Sequence, residues 1–324
     1  MATRVALVGA GGIGGYHLAQ LQKIQDVEVV GVADVDLNRA KELATRAGGC
    51  PAFAGHEEMY DAVKPTAVFI GVPPFAHVGQ ETAAAERGIH FFVQKPQALS
   101  VAKAEEVLGA VRRTGVITAV GFQDRYLDVV AEAKAALAGQ EPGLAMGYWM
   151  GGMPGVPWWR VRSQSGGQAV EQTIHIFDIA RYLFGEAESV QATATAGLMR
   201  DVPNYDVDDA SAMTIRFRDG VLCTIFSACY LRGGPGKSGL DIYCRDMRIE
   251  YGLRGNVRLT DNRETRDIRH RNDNDLECVR TFVDAVRSGD PSKIRSPYED
   301  GIRSLELPLA GQRSIETGQT IRLG

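Results

Sequence analysis

The sequence has few cysteines, no long apolar run and no block of like charge. Five cysteines (Cys50, Cys223, Cys229, Cys244 and Cys278) stand among 324 residues, with no CxxC and no zinc-ligand spacing. That argues against a disulfide framework or a zinc module and points to small buried thiols in a reducing, cytoplasmic setting. No apolar stretch approaches the ~20 residues of a membrane-spanning helix. The run Val5–Val8 after Arg4 is too short for a secretory leader and is better explained as a strand. Lys and Arg number 36 against 40 Asp and Glu, interspersed, for a net charge of -4, which disfavours nucleic acid and anionic membrane as partners. Internal repeats and low-complexity tracts are missing too. What remains is an ordinary globular composition, 44% hydrophobic and 23% charged, in a chain long enough for two domains.

The hydrophobic pattern divides at residue 123. Before it, short apolar runs (4–8, 28–33, 67–71, 89–93, 116–120) alternate with amphipathic stretches (12–24, 36–46, 75–87, 101–113). Apolar strands separated by helices predict a doubly wound parallel sheet covered on both faces, an α/β domain over 1–123. After a helix near 125–138, period-two alternation takes over at Gln191–Ala196 and Met213–Phe217. Asp219-Gly220 predicts a two-residue hairpin turn into Val221–Tyr230, and further strands are expected at 239–245, 247–251 and 255–260. Helices near 275–288 and 297–317 close the chain. Residues 124–324 therefore read as an α+β domain: an open antiparallel sheet with helices on one face, the other face being available for self-association.

The most specific motif opens the chain. The first strand runs into Gly9-Ala-Gly11-Gly12-Ile13-Gly14, a helix follows, and the second strand ends in Asp34, twenty residues beyond Gly14. Gly9 permits a tight turn, Gly11 lets backbone approach a pyrophosphate, and Gly14 lets helix pack close to strand. The helix N-terminus offers unbonded N–H groups to phosphate. Asp34 would accept from a ribose diol and repel a 2′-phosphate, favouring NAD over NADP, while Arg39 nearby leaves dual use open.

Several later residues are candidates for chemistry. Pro73 and His77 follow the third apolar run, at the edge where a cofactor would lie; a structural helix-start histidine is the alternative for His77. Lys95-Pro96 follows the fourth, and a lysine pinned there can face a ligand or simply be solvated. Glu171, His175, Asp178 and Tyr182 fall on one helical stripe, so Glu171 and His175, one turn apart, form either an acid-supported base or a plain helical pair. Trp159-Arg160, on a Gly/Pro-rich loop, suit the C–H faces and hydroxyls of a polyol, or anchor the loop. Arg125, Tyr126 and Tyr148 are weaker candidates for the same site. No set of residues has metal-ligand spacing.

Together these segments resemble the glucose–fructose oxidoreductase/inositol dehydrogenase/MocA (Gfo/Idh/MocA) family. The resemblance runs in order through Gly9–Gly14, Ala33-Asp34, Pro73 with His77, Lys95-Pro96, Gly121–Tyr126, Trp159-Arg160, Ser165-Gly166-Gly167, His175-x-x-Asp178, Gly185-Glu186, Asp208-Asp209 and Ser314–Gly318. It implies an NAD-dependent dehydrogenase acting on a secondary alcohol of a sugar, sugar derivative or cyclitol. In that family Lys95 matches the lysine that contacts cofactor and substrate, His175 the proton-abstracting histidine, and Glu171 its supporting acid. Gln94 stands where the family has glutamate, and Glu171 where it has aspartate. The resemblance also implies a cis Lys95–Pro96 bond and a homodimer or homotetramer. A glycoside hydrolase that retains NAD and a nucleotide-sensing regulator are the alternatives within this fold.

Overall fold

A computed structural model describes residues 2–234 and 236–324. The chain divides into two compact units, residues 1–123 with 275–302, and residues 124–274 with 303–324. This differs from a linear division at residue 123, because the segment 275–302 packs with the first unit.

The first unit runs β1 (Thr3–Val8), α1 (Gly12–Leu21), β2 (Val27–Ala33), α2 (Leu37–Arg46), β3 (Ala52–Phe53), α3 (His56–Val63), β4 (Ala67–Ile70), α4 (Gln80–Glu86), β5 (His90–Val93), α5 (Val101–Thr114) and β6 (Thr118–Val120). The strands form one parallel sheet in the order β3-β2-β1-β4-β5-β6, the doubly wound arrangement the alternation predicts. Local sequence sets the helix ends. Asp36 caps α2 by accepting from the N–H groups of Asn38 and Arg39, and Ser100 caps α5 by accepting from Lys103. The strands are apolar and buried on both faces, as a helix-covered parallel sheet requires.

Residues 275–302 complete this unit. Phe282 packs edge-on against Phe69 and Phe92, and Tyr298 against Phe91. The edge strand β6 is covered as well: Val120 donates to the Ser296 carbonyl, Ser296 Oγ donates back to the Val120 carbonyl, and Tyr298 N–H donates to Thr118 Oγ1. Covering the edge removes an unpaired row of backbone donors and acceptors.

The second unit contains α6 (Asp128–Leu137), β7 (Pro142–Met150), α7 (Arg162–Ser165), α8 (Gln168–Glu171), α9 (Ile174–Phe184), β8 (Ala187–Thr195), β9 (Ala210–Phe217), β10 (Leu222–Ala228), β11 (Lys237–Cys244), β12 (Met247–Gly252), β13 (Asn256–Asp261) and β14 (Thr265–Arg269). Then come α10 (Asn274–Ser288), which enters the first unit, α11 (Tyr298–Thr317), which returns, and β15 (Ile321–Arg322). The sheet is β14-β13-β12-β11-β7-β10-β9-β8-β15, antiparallel except that β7 and β10 are parallel. Ile176, Phe177, Ile179, Ala180 and Phe184 of α9 join Ile215, Phe217, Ile225, Leu240 and Ile242 in one core. Leu144, Leu222 and Phe226 alternate onto the other face and are exposed.

One local expectation changes, and one strand goes unannounced by the sequence. The β9–β10 connection spans four residues, 218–221, rather than two: Phe217 N–H donates to the Val221 carbonyl, with Gly220 left-handed at φ +91°. The central strand β7 carries no clear alternation signal. Its Gly147 is required by packing, since a Cβ there would lie 2.7 Å from Ile176 of α9 and 2.9 Å from Ile225.

Candidate active site

In the first unit the glycine turn has the shape its sequence implies. Gly9 is left-handed at φ +93°, and a Cβ there would lie 2.5 Å from the Gly71 carbonyl oxygen. A Cβ on Gly14 would lie 2.0 Å from the Gly9 oxygen, so α1 and the turn touch through backbone. Gly11 and Gly12, by contrast, have no atom within 4 Å of a built Cβ, leaving the N-terminus of α1 open above the turn. Ile13 fits against Gly71, where a side chain would meet its Cγ2 at 2.7 Å. Asp34 closes the turn: its Oδ2 accepts from Ala10 N–H at 2.6 Å and its Oδ1 from Asp36 N–H at 2.8 Å. A carboxylate has about four acceptor sites, so it can still take ribose hydroxyls. Arg39 lies 3.4 Å from Asp36 in an exposed pair. An open backbone cradle, a helix N-terminus and a fixed carboxylate fit a dinucleotide.

The other first-unit candidates are placed with less freedom. Pro73 leads into a single 3-10 turn, Pro74–Ala76. The next residue, His77, directs Nδ1 onto Glu81, with both side chains nearly buried, which is the structural alternative for this histidine. Lys95–Pro96 is cis. Gln94 folds its amide back, accepting from the Lys95 N–H at 3.1 Å and filling the space over Gly121, where a Cβ would meet Oε1 at 1.8 Å.

In the second unit the expected continuous helix is broken. α8 ends at Glu171 and α9 begins at Ile174, with Thr173 buried and its Oγ1 accepting from Ser227 at 2.9 Å. Glu171 Oε2 accepts from the Trp159 indole N–H at 2.7 Å. Trp159 is completely buried, in a small cluster with Val207 and Cys229, so it anchors its loop rather than forming an open sugar wall. Arg160 is partly exposed, though its Nε is buried without a partner among the described residues.

Arg125 also departs from expectation. Its Nε and Nη2 grip both Asp178 oxygens at 2.6–3.2 Å, and Ser304 Oγ donates to the same carboxylate at 2.6 Å. Both charged side chains are buried, so this fork-shaped pair is a structural element of the core and is not presented to a sugar. Tyr126 is buried and the Tyr148 hydroxyl donates to Asp241 at 2.6 Å.

His175 is held by Asp124, inside the Gly121–Tyr126 segment, and by Arg254, which falls in no motif. Its Nδ1 lies 3.0 Å from Asp124 Oδ2, approached off the ideal N–H line, and its Nε2 lies 3.4 Å from Arg254 Nη2. Arg254 grips Asp124 in turn, Nε to Oδ1 at 2.7 Å and Nη2 to Oδ2 at 3.2 Å. Burial alone would raise the Asp124 pKa, but the charges and hydrogen bonds of His175 and Arg254 outweigh it and hold the carboxyl well below its usual range. Trp149 lies over the imidazole, nearly parallel, with ring centroids 6.0 Å apart. Among the described residues no group of three or more His, Cys, Asp or Glu could hold a metal ion.

A Rossmann unit with an open glycine turn, joined to an α+β unit carrying a carboxylate-bound histidine, defines an NAD-binding oxidoreductase architecture. Residues 3–122 match the family described as "Oxidoreductase family, NAD-binding Rossmann fold", and residues 143–250 the GFO/IDH/MocA C-terminal domain. The chain belongs to the Gfo/Idh/MocA family and is an NAD(P)-dependent oxidoreductase acting on CH–OH groups. It is 28% identical to the myo-inositol 2-dehydrogenase of Thermotoga maritima, over 99% of this chain and 98% of that one. It is 33% identical to the scyllo-inositol 2-dehydrogenase (NAD(+)) of Bacillus subtilis, over 78% of this chain and 72% of that one. Its fold matches a levoglucosan dehydrogenase solved with NADH and levoglucosan, at a TM-score of 0.88, 20% identity and 99% coverage of both chains.

Proposed function

We propose that the protein is an NAD-dependent dehydrogenase of a secondary alcohol in a sugar, sugar derivative or cyclitol. The observation that carries this reading is a buried histidine fixed by an ionised carboxylate, in a chain whose other unit offers a dinucleotide cradle. When bound, NAD supplies hydride acceptance at the nicotinamide. His175 takes the hydroxyl proton, and the Lys95 ammonium stabilises the developing alkoxide. Glu171, held by the Trp159 indole, accepts a hydrogen bond from a second substrate hydroxyl, and Arg160 donates to another. Gly9, Gly11, Gly12, Ile13 and Gly14 carry the pyrophosphate. Asp34 holds the ribose and favours NAD, because a 2′-phosphate would face its charge.

Relatives that act on inositols support a cyclitol or related polyol as substrate. The exposed Leu144, Leu222 and Phe226 on the helix-free sheet face support a homodimer or homotetramer. Among the described residues no helix is long and apolar enough to cross a membrane. A cytoplasmic location fits five cysteines without CxxC or zinc-ligand spacing.

The test is a panel of inositols, sugars and glycosides with NAD or NADP, followed by absorbance and product analysis. NADH accumulation on a polyol, lost by ~10²-fold or more in His175→Ala with NAD affinity retained, is the expected result. Release of free sugar from a glycoside without NADH would replace this reading with hydrolysis.

A further inference from the structure

The sequence pattern pairs His175 with Glu171, one helical turn earlier. The folded chain breaks that turn at residues 172–173, and Glu171 accepts from Trp159. A different carboxylate, Asp124, lies at His175 Nδ1, and it comes from the short turn Gln123–Tyr126 that leads into α6. Resting on the dehydrogenase reading above, we infer that Asp124, clamped by Arg254, is the positioning residue that sets the tautomer and orientation of the His175 base.

Two contacts point to the same tautomer. A guanidinium can only donate, so the contact from Arg254 Nη2 requires a lone pair on Nε2. An ionised carboxylate can only accept, so the contact to Asp124 requires the proton on Nδ1. A neutral ring satisfying both has Nδ1–H toward Asp124 and a basic Nε2, the form that abstracts a proton. The reasoning parallels a Ser-His-Asp triad, where the carboxylate holds the imidazole in its working tautomer and steadies the imidazolium that forms.

Arg254 has two roles in this arrangement. By gripping both Asp124 oxygens it keeps a buried carboxylate ionised and fixed, since only about 1% of that side chain is exposed. It also covers Nε2, so a substrate hydroxyl takes over from the guanidinium when it binds there. Its backbone is tuned for the position: Arg254 is left-handed at φ +56°, rare for a residue with a Cβ, and its N–H donates to the Tyr251 hydroxyl. Tyr251 is fully buried on β12, so the clamp is anchored in the sheet core.

The test uses the full-length protein with histidine labelled at both ring nitrogens by 15N, read at a pH where the ring is neutral. The wild type should show a protonated Nδ1 and an unprotonated Nε2 for His175; the opposite tautomer overturns the inference, whatever substrate the enzyme takes. In Asp124→Asn that pattern should mix or invert, and kcat on the best polyol should fall by ~10²-fold, with KM changing less than about threefold. In Glu171→Gln the nitrogen pattern should stay as in wild type. An unchanged pattern in Asp124→Asn, or a disturbed one in Glu171→Gln, returns the supporting role to Glu171. Should Asp124→Asn not fold, Arg254→Gln decides: the half-exposed guanidinium is removed, the Nε2 resonance must shift while Nδ1 stays protonated, and an unmoved Nε2 resonance refutes the clamp. These resonances do not depend on turnover, so a protein inactive on every polyol would sink the dehydrogenase reading and leave the tautomer result standing.

Discussion

The indole N–H of Trp159 donates to Glu171 at 2.7 Å, which ties the loop before α7 to the end of α8. A completely buried ring and a partly exposed carboxylate are thereby locked together across twelve residues. This bond turns a loop tryptophan into a tether for an acidic group.

Trp159→Phe keeps most of the ring and deletes the donor. A hydrogen bond to a charged group contributes about 1.5–3 kcal/mol. The expected result is a lower melting temperature and a several-fold rise in KM for the polyol, with kcat changing less. Steady-state kinetics beside a thermal melt check this; an unchanged KM would mean that Glu171 needs no tether to meet substrate.

Asp34 fixes the glycine turn through Ala10, and the proposed function also gives it the choice between cofactors at the ribose. Asp34→Ser should therefore weaken NAD binding by about tenfold, roughly 1.4 kcal/mol, and narrow the gap to NADP. Fluorescence titration of both cofactors measures it. A variant that loses NAD affinity and leaves the NAD-to-NADP ratio untouched would assign Asp34 to the turn alone.

His17 makes stability depend on pH. It is fully buried against Phe69 and Phe92, neither ring nitrogen has a partner among the described residues, and burial lowers its pKa from 6.5 to about 3. The unfolded chain binds a proton below pH 6.5 that the folded chain refuses until about pH 3, so stability falls as pH drops through that window. Between pH 6.5 and 5 the loss is about 2 kcal/mol. Denaturant unfolding of His17→Phe should be flatter over that range than wild type; equal slopes would refute the assignment.

What was legible in the sequence is what local chemistry dictates. The glycine turn must be written as glycines, because at Gly9 and Gly14 a side chain would strike backbone. Period-two alternation located β8 and β9, whose side chains turn by turn enter the core and leave it. The central strand β7 was hidden because packing against α9 demands a glycine where strand propensity asks for bulk. Periodicity placed Glu171 beside His175, yet it cannot register a helix that stops at Glu171 and restarts at Ile174. Asp124 and Arg254 are 130 residues apart, and neither sits in a pattern that announces the other. His77 and Arg125 are polar residues at the expected places, but Arg125 is taken up by Asp178, and His77 turns its Nδ1 to Glu81 while its Nε2 lies buried without a partner among the described residues.

The segment 275–302, which supplies Phe282, Ser296 and Tyr298 to the first unit, has a consequence for biogenesis. A ribosome finishes the six parallel strands long before it makes the residues that seal their outer border. Until then the nascent nucleotide-binding half carries bare phenylalanines and an unzipped β6. A gene fragment ending at residue 123 would inherit that same defect permanently, so grafting this half onto another catalyst means carrying the distant helix along with it.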